Sequence, residues 1–167
     1  MGATLVDKAR AFAIHAHAGQ RYGDAPYEAH LAHTVAVLKR HGLHDPELLA
    51  AGWLHDTIED TPVTRQAVVD LAGERVAAMV DAVSDGPGES RTERKERPYR
   101  LIPQTPGAVL IKLADRIANA EAAVGRLPRV LAKYRAEHAH FRDALHNPAD
   151  AQARPLWHTA DRLLGPG

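Results

Sequence analysis

Apolar residues recur at three- and four-residue intervals along most of this chain, the spacing that turns one face of an α-helix toward a core. Leu5, Ala9, Phe12 and Ala13 form the first stripe, closed by Gly19. A loop, GQRYGDAPYE, separates it from a helix predicted over about His30 to His41, with Leu31, Val35 and Leu38 on one face and Gly42 as its stop. Asp45-Pro46 is a start signal: an N-cap residue, then proline at the first helical position. The helix it opens carries LLAAGWLHDTIEDT and is predicted to continue to near Pro62. Thr64 to Ala72 and Glu74 to Val83 read as two short helices broken around Gly73. SDGPGES reads as a loop, and RTERKERPYR as a basic, partly helical segment before Pro103 and Pro106. Ala108 to about Val124, Arg129 to about Leu145, and Pro155 to Leu164 complete the series. No period-two run, internal repeat or low-complexity tract interrupts it. The pattern predicts an all-α, single-domain bundle of roughly eight helices.

Composition narrows the function classes. The 167 residues fit one compact domain, and 45% apolar residues suffice for its core. Twenty-one basic and 21 acidic side chains balance, so the overall basic field of a duplex-binding protein is absent and no nucleic-acid partner is expected. There is no cysteine, so any metal must sit on His, Asp, Glu or water. Asp7, Lys8 and Arg10 interrupt the N-terminal stretch, and no segment reaches the ~18 uninterrupted apolar residues of a membrane span. The expectation is a soluble cytoplasmic protein; a homo-oligomer is compatible with the sequence.

Chemistry concentrates in LHDTIED, residues 54–60. At about 100° per residue, His55, Asp56, Glu59 and Asp60 fall within an arc of about 140° on one helix face. Trp53, Leu54 and Ile58 surround them, so the acids need a cation or hydrogen-bond donors to offset their repulsion. A solvated acidic face is the competing reading of this segment. In KLADRIANAE, residues 112–121, Lys112, Asp115 and Asn119 share a face within ~60°, with Asp115 in an otherwise apolar run. Taken singly, Asp115 reads as a buried ion-pair partner and His30 as a cap or packing residue. His15, His17, His41, His44, His138, His140, His146 and His158 read as packing or surface residues.

In this order, His30, His55-Asp56 and Asp115 resemble the pattern of the HD phosphohydrolase superfamily. GQRYGDAPYEAH (19–30), LLAAGWLHDTIEDT (48–61), VDAVSD (80–85), ERKER (93–97) and IKLADRIANAEA (111–122) further resemble the alarmone hydrolase domain of RelA/SpoT proteins and its small stand-alone forms. The resemblance implies an HD-type helical fold over residues 1–167 with no synthetase domain. It implies hydrolysis of guanosine tetra- or pentaphosphate, with release of the 3′-pyrophosphate to give GDP or GTP. It assigns His30, His55, Asp56 and Asp115 to a metal. Two imidazoles with two carboxylates suit Mn²⁺ or Fe²⁺ better than Mg²⁺. Glu59 and Asp60 match the acidic pair that orients and activates water. Asn119 matches a residue near ribose and phosphate, Arg21 one that packs on the purine, Arg94 and Lys95 a basic pair near the phosphates, and Tyr134 a nucleotide-contacting tyrosine. A pyrophosphate substrate also requires flanking cations, which Arg91, Arg94, Lys95, Arg97 and Arg100 supply, with Lys112 and Arg116 nearby.

The chain departs from that family in a shortened loop after Gly19, in Tyr22 where a second basic residue is common, in Leu31 after His30, and in Ala118. Two other functions therefore stand beside alarmone hydrolysis. One is the same fold acting on another phosphorylated nucleotide, such as an adenine alarmone or the 2′-phosphate of NADPH. The other is a nucleotide-sensing module without turnover, against which the complete acidic pair argues.

Overall fold

The protein's computed structural model describes residues 2–166. Helices α1 (Leu5–Ala16), α2 (Glu28–Arg40), α3 (Pro46–Leu54), α4 (Thr57–Asp60), α5 (Arg65–Ala72), α6 (Glu74–Val83), α7 (Arg91–Leu101), α8 (Ala108–Ala123), α9 (Pro128–Leu145) and α10 (Arg154–Leu164) follow in chain order. The all-α expectation holds. Among the described residues, no helix is long and apolar enough to cross a membrane.

The start signals act as the residue chemistry requires. Thr4 and Asp7 form a reciprocal capping box on α1, and Ser90 and Glu93 form another on α7. The Asp45 side chain accepts from the backbone N–H of Glu47 ahead of Pro46. Helix α8 is the axis of the core: Ile111, Leu113, Ala114, Ile117 and Ala118 are fully buried, and α2, α3, α6, α9 and α10 pack around it. Every residue of α3 from Leu48 to Leu54 is buried. Gly52 lets α3 lie tightly on α2; a Cβ there would stand 3.0 Å from Leu38 Cδ1 and 3.1 Å from Val35 Cγ2.

Two departures from the predicted elements matter. The helix expected to run from Asp45 to near Pro62 breaks after Leu54 and resumes as one turn at Thr57. Side chains compete there for helix carbonyls: His55 Nδ1 lies 2.9 Å from Gly52 O, and Thr57 Oγ1 donates to Leu54 O at 2.7 Å. The break reorients His55 and Asp56 relative to Glu59 and Asp60. The second departure is a hairpin in the first loop, β1 (Arg21–Tyr22) with β2 (Ala25–Pro26), pairing Arg21 with Pro26 and Tyr22 with Ala25. Strands of two residues are too short to leave a period in the sequence.

Candidate functional site

Three buried helices bring four side chains to one point. The first turn of α2 carries His30, the α3–α4 break carries His55 and Asp56, and the middle of α8 carries Asp115. Both histidines are 2% exposed. His30 Nε2 lies 3.3 Å from His55 Nε2, 3.2 Å from Asp115 Oδ1 and 3.5 Å from Asp56 Oδ2. His55 Nε2 lies 3.0 Å from Asp56 Oδ2 and 3.6 Å from Asp115 Oδ1. Donor atoms bonded at ~2.0–2.2 Å to one ion have such separations. The Gly52 carbonyl accepts a hydrogen bond from His55 Nδ1–H, which leaves the Nε2 lone pair directed at the centre. Burial opposes protonation of both imidazoles, yet hydrogen bonding and charge from Asp115 and Asp56 raise their pKa values. The two carboxylates resist burial in the opposite sense, and the histidines hold them below the ordinary range. The cluster therefore demands positive charge, and its imidazole and carboxylate donors fit a divalent cation.

Hydrogen bonds from outside the cluster orient both carboxylates. Tyr27 Oη donates to Asp56 Oδ2 at 2.7 Å and to Asp60 Oδ2 at 3.3 Å. Asn119 Nδ2 donates to Asp115 Oδ1 at 2.6 Å, and Asn119 Oδ1 accepts from Tyr22 Oη at 2.7 Å. The Tyr22 ring stacks on His30 at 4.8 Å, and Tyr27 stacks on His17 at 4.7 Å. His17 Nδ1 in turn bonds Gln20 Oε1 at 2.7 Å, and Gln20 Nε2 reaches Asp60 Oδ2 at 3.5 Å.

Tyr27, His30, Asp56 and Asp115 open onto a cavity of about 230 Å³ that also takes in Glu59, Asp60, Asp85, Lys95, Lys112, Asn119 and Tyr134. Glu59 and Asp60 stand at its exposed rim. Crowding by the walls raises both pKa values, with Asp56 adding repulsion at Asp60 and Lys112 countering at Glu59. Lys95 donates to both oxygens of Asp85 at 2.7 and 2.9 Å. Lys112 lies 3.7 Å from Asp115 Oδ2; burial disfavours its charge, but Asp115 and Glu59 keep it firmly cationic. Arg91, Arg116, Tyr99 and Phe141 complete the lining.

The HD domain family matches residues 9–140, most of the chain and all four clustered side chains. The chain belongs to that family. Members hold a divalent metal, and the His/Asp cluster here supplies donors for one. The chain is 35% identical over 113 residues to a guanosine-3′,5′-bis(diphosphate) 3′-pyrophosphohydrolase of Mus musculus, covering 65% of this chain and 63% of that protein. It is 38% identical over 112 residues to the bifunctional (p)ppGpp synthase/hydrolase SpoT of Escherichia coli, covering 62% of this chain but 16% of that much longer protein. The chain thus spans less than two thirds of either relative. A solved metazoan SpoT ortholog, described as hydrolysing ppGpp, superposes with a TM-score of 0.78 over 97% of this chain and 96% of its own. At 24% identity it shares the fold.

Within this HD domain, the residues singled out by sequence divide into two groups. His30, Asp56, Asp115, Glu59, Asp60, Lys95, Lys112, Asn119 and Tyr134 line the one cavity, and His55 lies behind them in contact with the cluster. Arg21 and Arg94 do not line it. Arg21 is exposed on the hairpin, its guanidinium donating to the Asp24 carbonyl. Arg94 donates to the carbonyls of Gly88 and Glu89 and faces a neighbouring groove with Arg97. Gln20, Tyr22 and Tyr27 lie inside the segment GQRYGDAPYEAH, but nothing in it gives them a part in the site, and His17 reads as packing. Their contacts span 3 to 97 residues of sequence and arise only when α1, the hairpin and α8 close together.

Proposed function

We propose that this HD domain hydrolyses guanosine 3′,5′-bis(diphosphate)-type alarmones, releasing the 3′-pyrophosphate and leaving GDP or GTP, with Mn²⁺ as its metal. The observation that carries the reading is one cavity joining a buried two-His, two-Asp donor set to an acidic rim and to buried cations. His30, His55, Asp56 and Asp115 hold the metal. When bound, the ion supplies Lewis acidity toward the phosphoryl group. Glu59 and Asp60 orient the attacking water and take its proton, their raised pKa values making them stronger bases than ordinary carboxylates. A water oxygen bonds to the phosphorus attached to the ribose 3′-oxygen, the P–O3′ bond breaks, and the 3′-oxygen takes up a proton. Lys95 and Lys112 offset phosphate charge, while Asn119 and Tyr134 line the nucleotide's path. We read the described helices as one catalytic unit and the substrate, a small nucleotide, as its partner.

A second reading, another phosphorylated nucleotide as substrate, is favoured by the position of Arg21. The residue expected on the purine is exposed, bonded to the Asp24 carbonyl, and does not line the cavity, so nothing at that position selects guanine. Product analysis after incubation with ppGpp and Mn²⁺, with and without chelator, tests the first reading. Pyrophosphate and GDP in equal amounts are expected. Intact ppGpp beside turnover of an adenine alarmone or NADPH selects the second. The Asp56→Ala variant is expected to lose bound Mn²⁺ and turnover together; an active metal-free variant contradicts the assignment.

A further inference from the structure

The four clustered side chains are not held in the same way. His55 Nδ1 has the Gly52 carbonyl at 2.9 Å, and Asp56 Oδ2 has the Tyr27 hydroxyl at 2.7 Å. Each member of the adjacent pair thus has its own partner outside the cluster. His30 lacks one: its buried Nδ1 meets no hydrogen-bond partner among the described residues. An imidazole that binds metal through one nitrogen is ordinarily oriented by a hydrogen bond at the other. A different contact must set the plane of this ring.

Tyr22 supplies that contact. Its ring lies 4.8 Å from the His30 ring at an interplanar angle of 21°, whereas Tyr27 meets the same imidazole edge-on, at 62°. A flat ring stacked on one face leaves the imidazole little room to turn. The hydroxyl of Tyr22 reaches toward the remaining donor. Asn119 Nδ2 faces two oxygens of Asp115, Oδ1 at 2.6 Å and the backbone carbonyl at 3.1 Å, so the amide NH₂ must lie on that side. Asn119 Oδ1 is then the acceptor for Tyr22 Oη at 2.7 Å. The Asp115 oxygen that Asn119 holds is the one that meets His30 Nε2 at 3.2 Å. Burial and the charges of Asp115 and Asp56 push the Tyr22 phenol above its ordinary pKa, so the proton it offers Asn119 stays in place. Without that hydroxyl the half-buried Asn119 oxygen loses its donor, and the amide is free to turn and release Asp115. Tyr22 itself does not line the cavity.

We infer that Tyr22 is a positioning residue for the metal centre, orienting His30 with its ring and Asp115 through Asn119. One side chain of the hairpin thereby ties together the donor of α2 and the donor of α8. The inference rests on the proposed assignment of the four clustered side chains to a metal.

Calorimetry with Mn²⁺ on the whole chain reads this role without turnover. Tyr22→Phe keeps the ring and removes the hydroxyl; it is expected to weaken Mn²⁺ binding about tenfold, the low end for losing a side chain that orients a metal ligand. In an Asn119→Ala background, where the link to Asp115 is already cut, the same change is expected to have no further effect. Tyr22→Leu, which removes ring and hydroxyl together, is expected to bind more weakly than Tyr22→Phe. A merely structural role predicts the same loss in both backgrounds. Wild-type affinity in folded Tyr22→Phe, equal losses in the two backgrounds, or Tyr22→Leu no weaker than Tyr22→Phe overturns the inference. Tyr22→Phe preserves the packing, so the test stands if Tyr22→Leu unfolds. Tyr22-dependent Mn²⁺ binding without hydrolysis of any nucleotide sinks the proposed alarmone activity and leaves the role of Tyr22 standing. A wild type that binds no Mn²⁺ overturns both.

Discussion

At the scale of single residues, the proposed role of the acidic pair can be tested apart from metal binding. Glu59 lies within 4.8 Å of Asp56 but makes none of the contacts that join His30, His55, Asp56 and Asp115, and its carboxylate accepts from the Asp85 backbone N–H. Glu59→Gln is therefore expected to leave Mn²⁺ affinity within about twofold while lowering kcat by about 10²-fold, the usual worth of a positioned proton acceptor. Calorimetry and steady-state rates on the same preparation check it; equal loss of metal and rate refutes the division of roles. The pH profile follows from the raised pKa values of Glu59 and Asp60, which come from crowding at the rim and the Asp56 charge. An acceptor works deprotonated, so kcat/KM rises with pH through those values. Its acidic limb is expected above the ordinary carboxylate range of ~4, displaced modestly because water still reaches the rim. A profile flat from pH 4 to 8 contradicts it. LHDTIED shows this pair in the sequence, since charge in an apolar helix is conspicuous. Tyr27 and Tyr22 are not visible there, because nothing about a tyrosine in a loop says which carboxylate its hydroxyl meets.

Between elements, the decisive contact is α2 against α3. Gly52 sets their separation, and with it the 3.3 Å between the Nε2 atoms of His30 and His55. A valine at Gly52 must displace Leu38 and Val35, an overpacking cost of about 1–3 kcal/mol. Gly52→Val is accordingly expected to lower Tm by roughly 2–4 °C per kcal/mol and to weaken Mn²⁺ binding as well. A thermal melt together with a metal titration tests both; a destabilised variant with unchanged metal affinity would show that α2 and α3 hold the histidines independently of their spacing. Most helix limits are readable from Asp45-Pro46, Gly42, Gly73 and the apolar stripes, because caps and periodicity are local. The break at His55 is not, because it depends on side chains turning back onto the carbonyls of Gly52 and Leu54.

Across the whole molecule, the proposed metal donors come from α2, the α3–α4 break and α8, so an ion bound there would cross-link the centre of the core. An ion that binds only the folded chain adds about 2.7 kcal/mol at a hundred times its Kd, which for a chain of this size raises Tm by roughly 5–11 °C. Differential scanning fluorimetry with Mn²⁺ and with EDTA measures the difference, and the same shift in Asp56→Ala would place the ion elsewhere. The sequence by itself determined the all-α class, the helices that carry His30 and Asp115, the HD segment between them, and the restriction of any metal to nitrogen and oxygen ligands, since periodicity, capping and residue chemistry are properties of short segments. Tertiary structure alone decided that these four side chains converge, that Arg21 and Arg94 do not line the cavity while Arg91 and Arg116 do, and that two tyrosines brace the centre. The direction of a side chain is fixed by the neighbour it packs against, and those neighbours lie as many as 97 residues away in the chain.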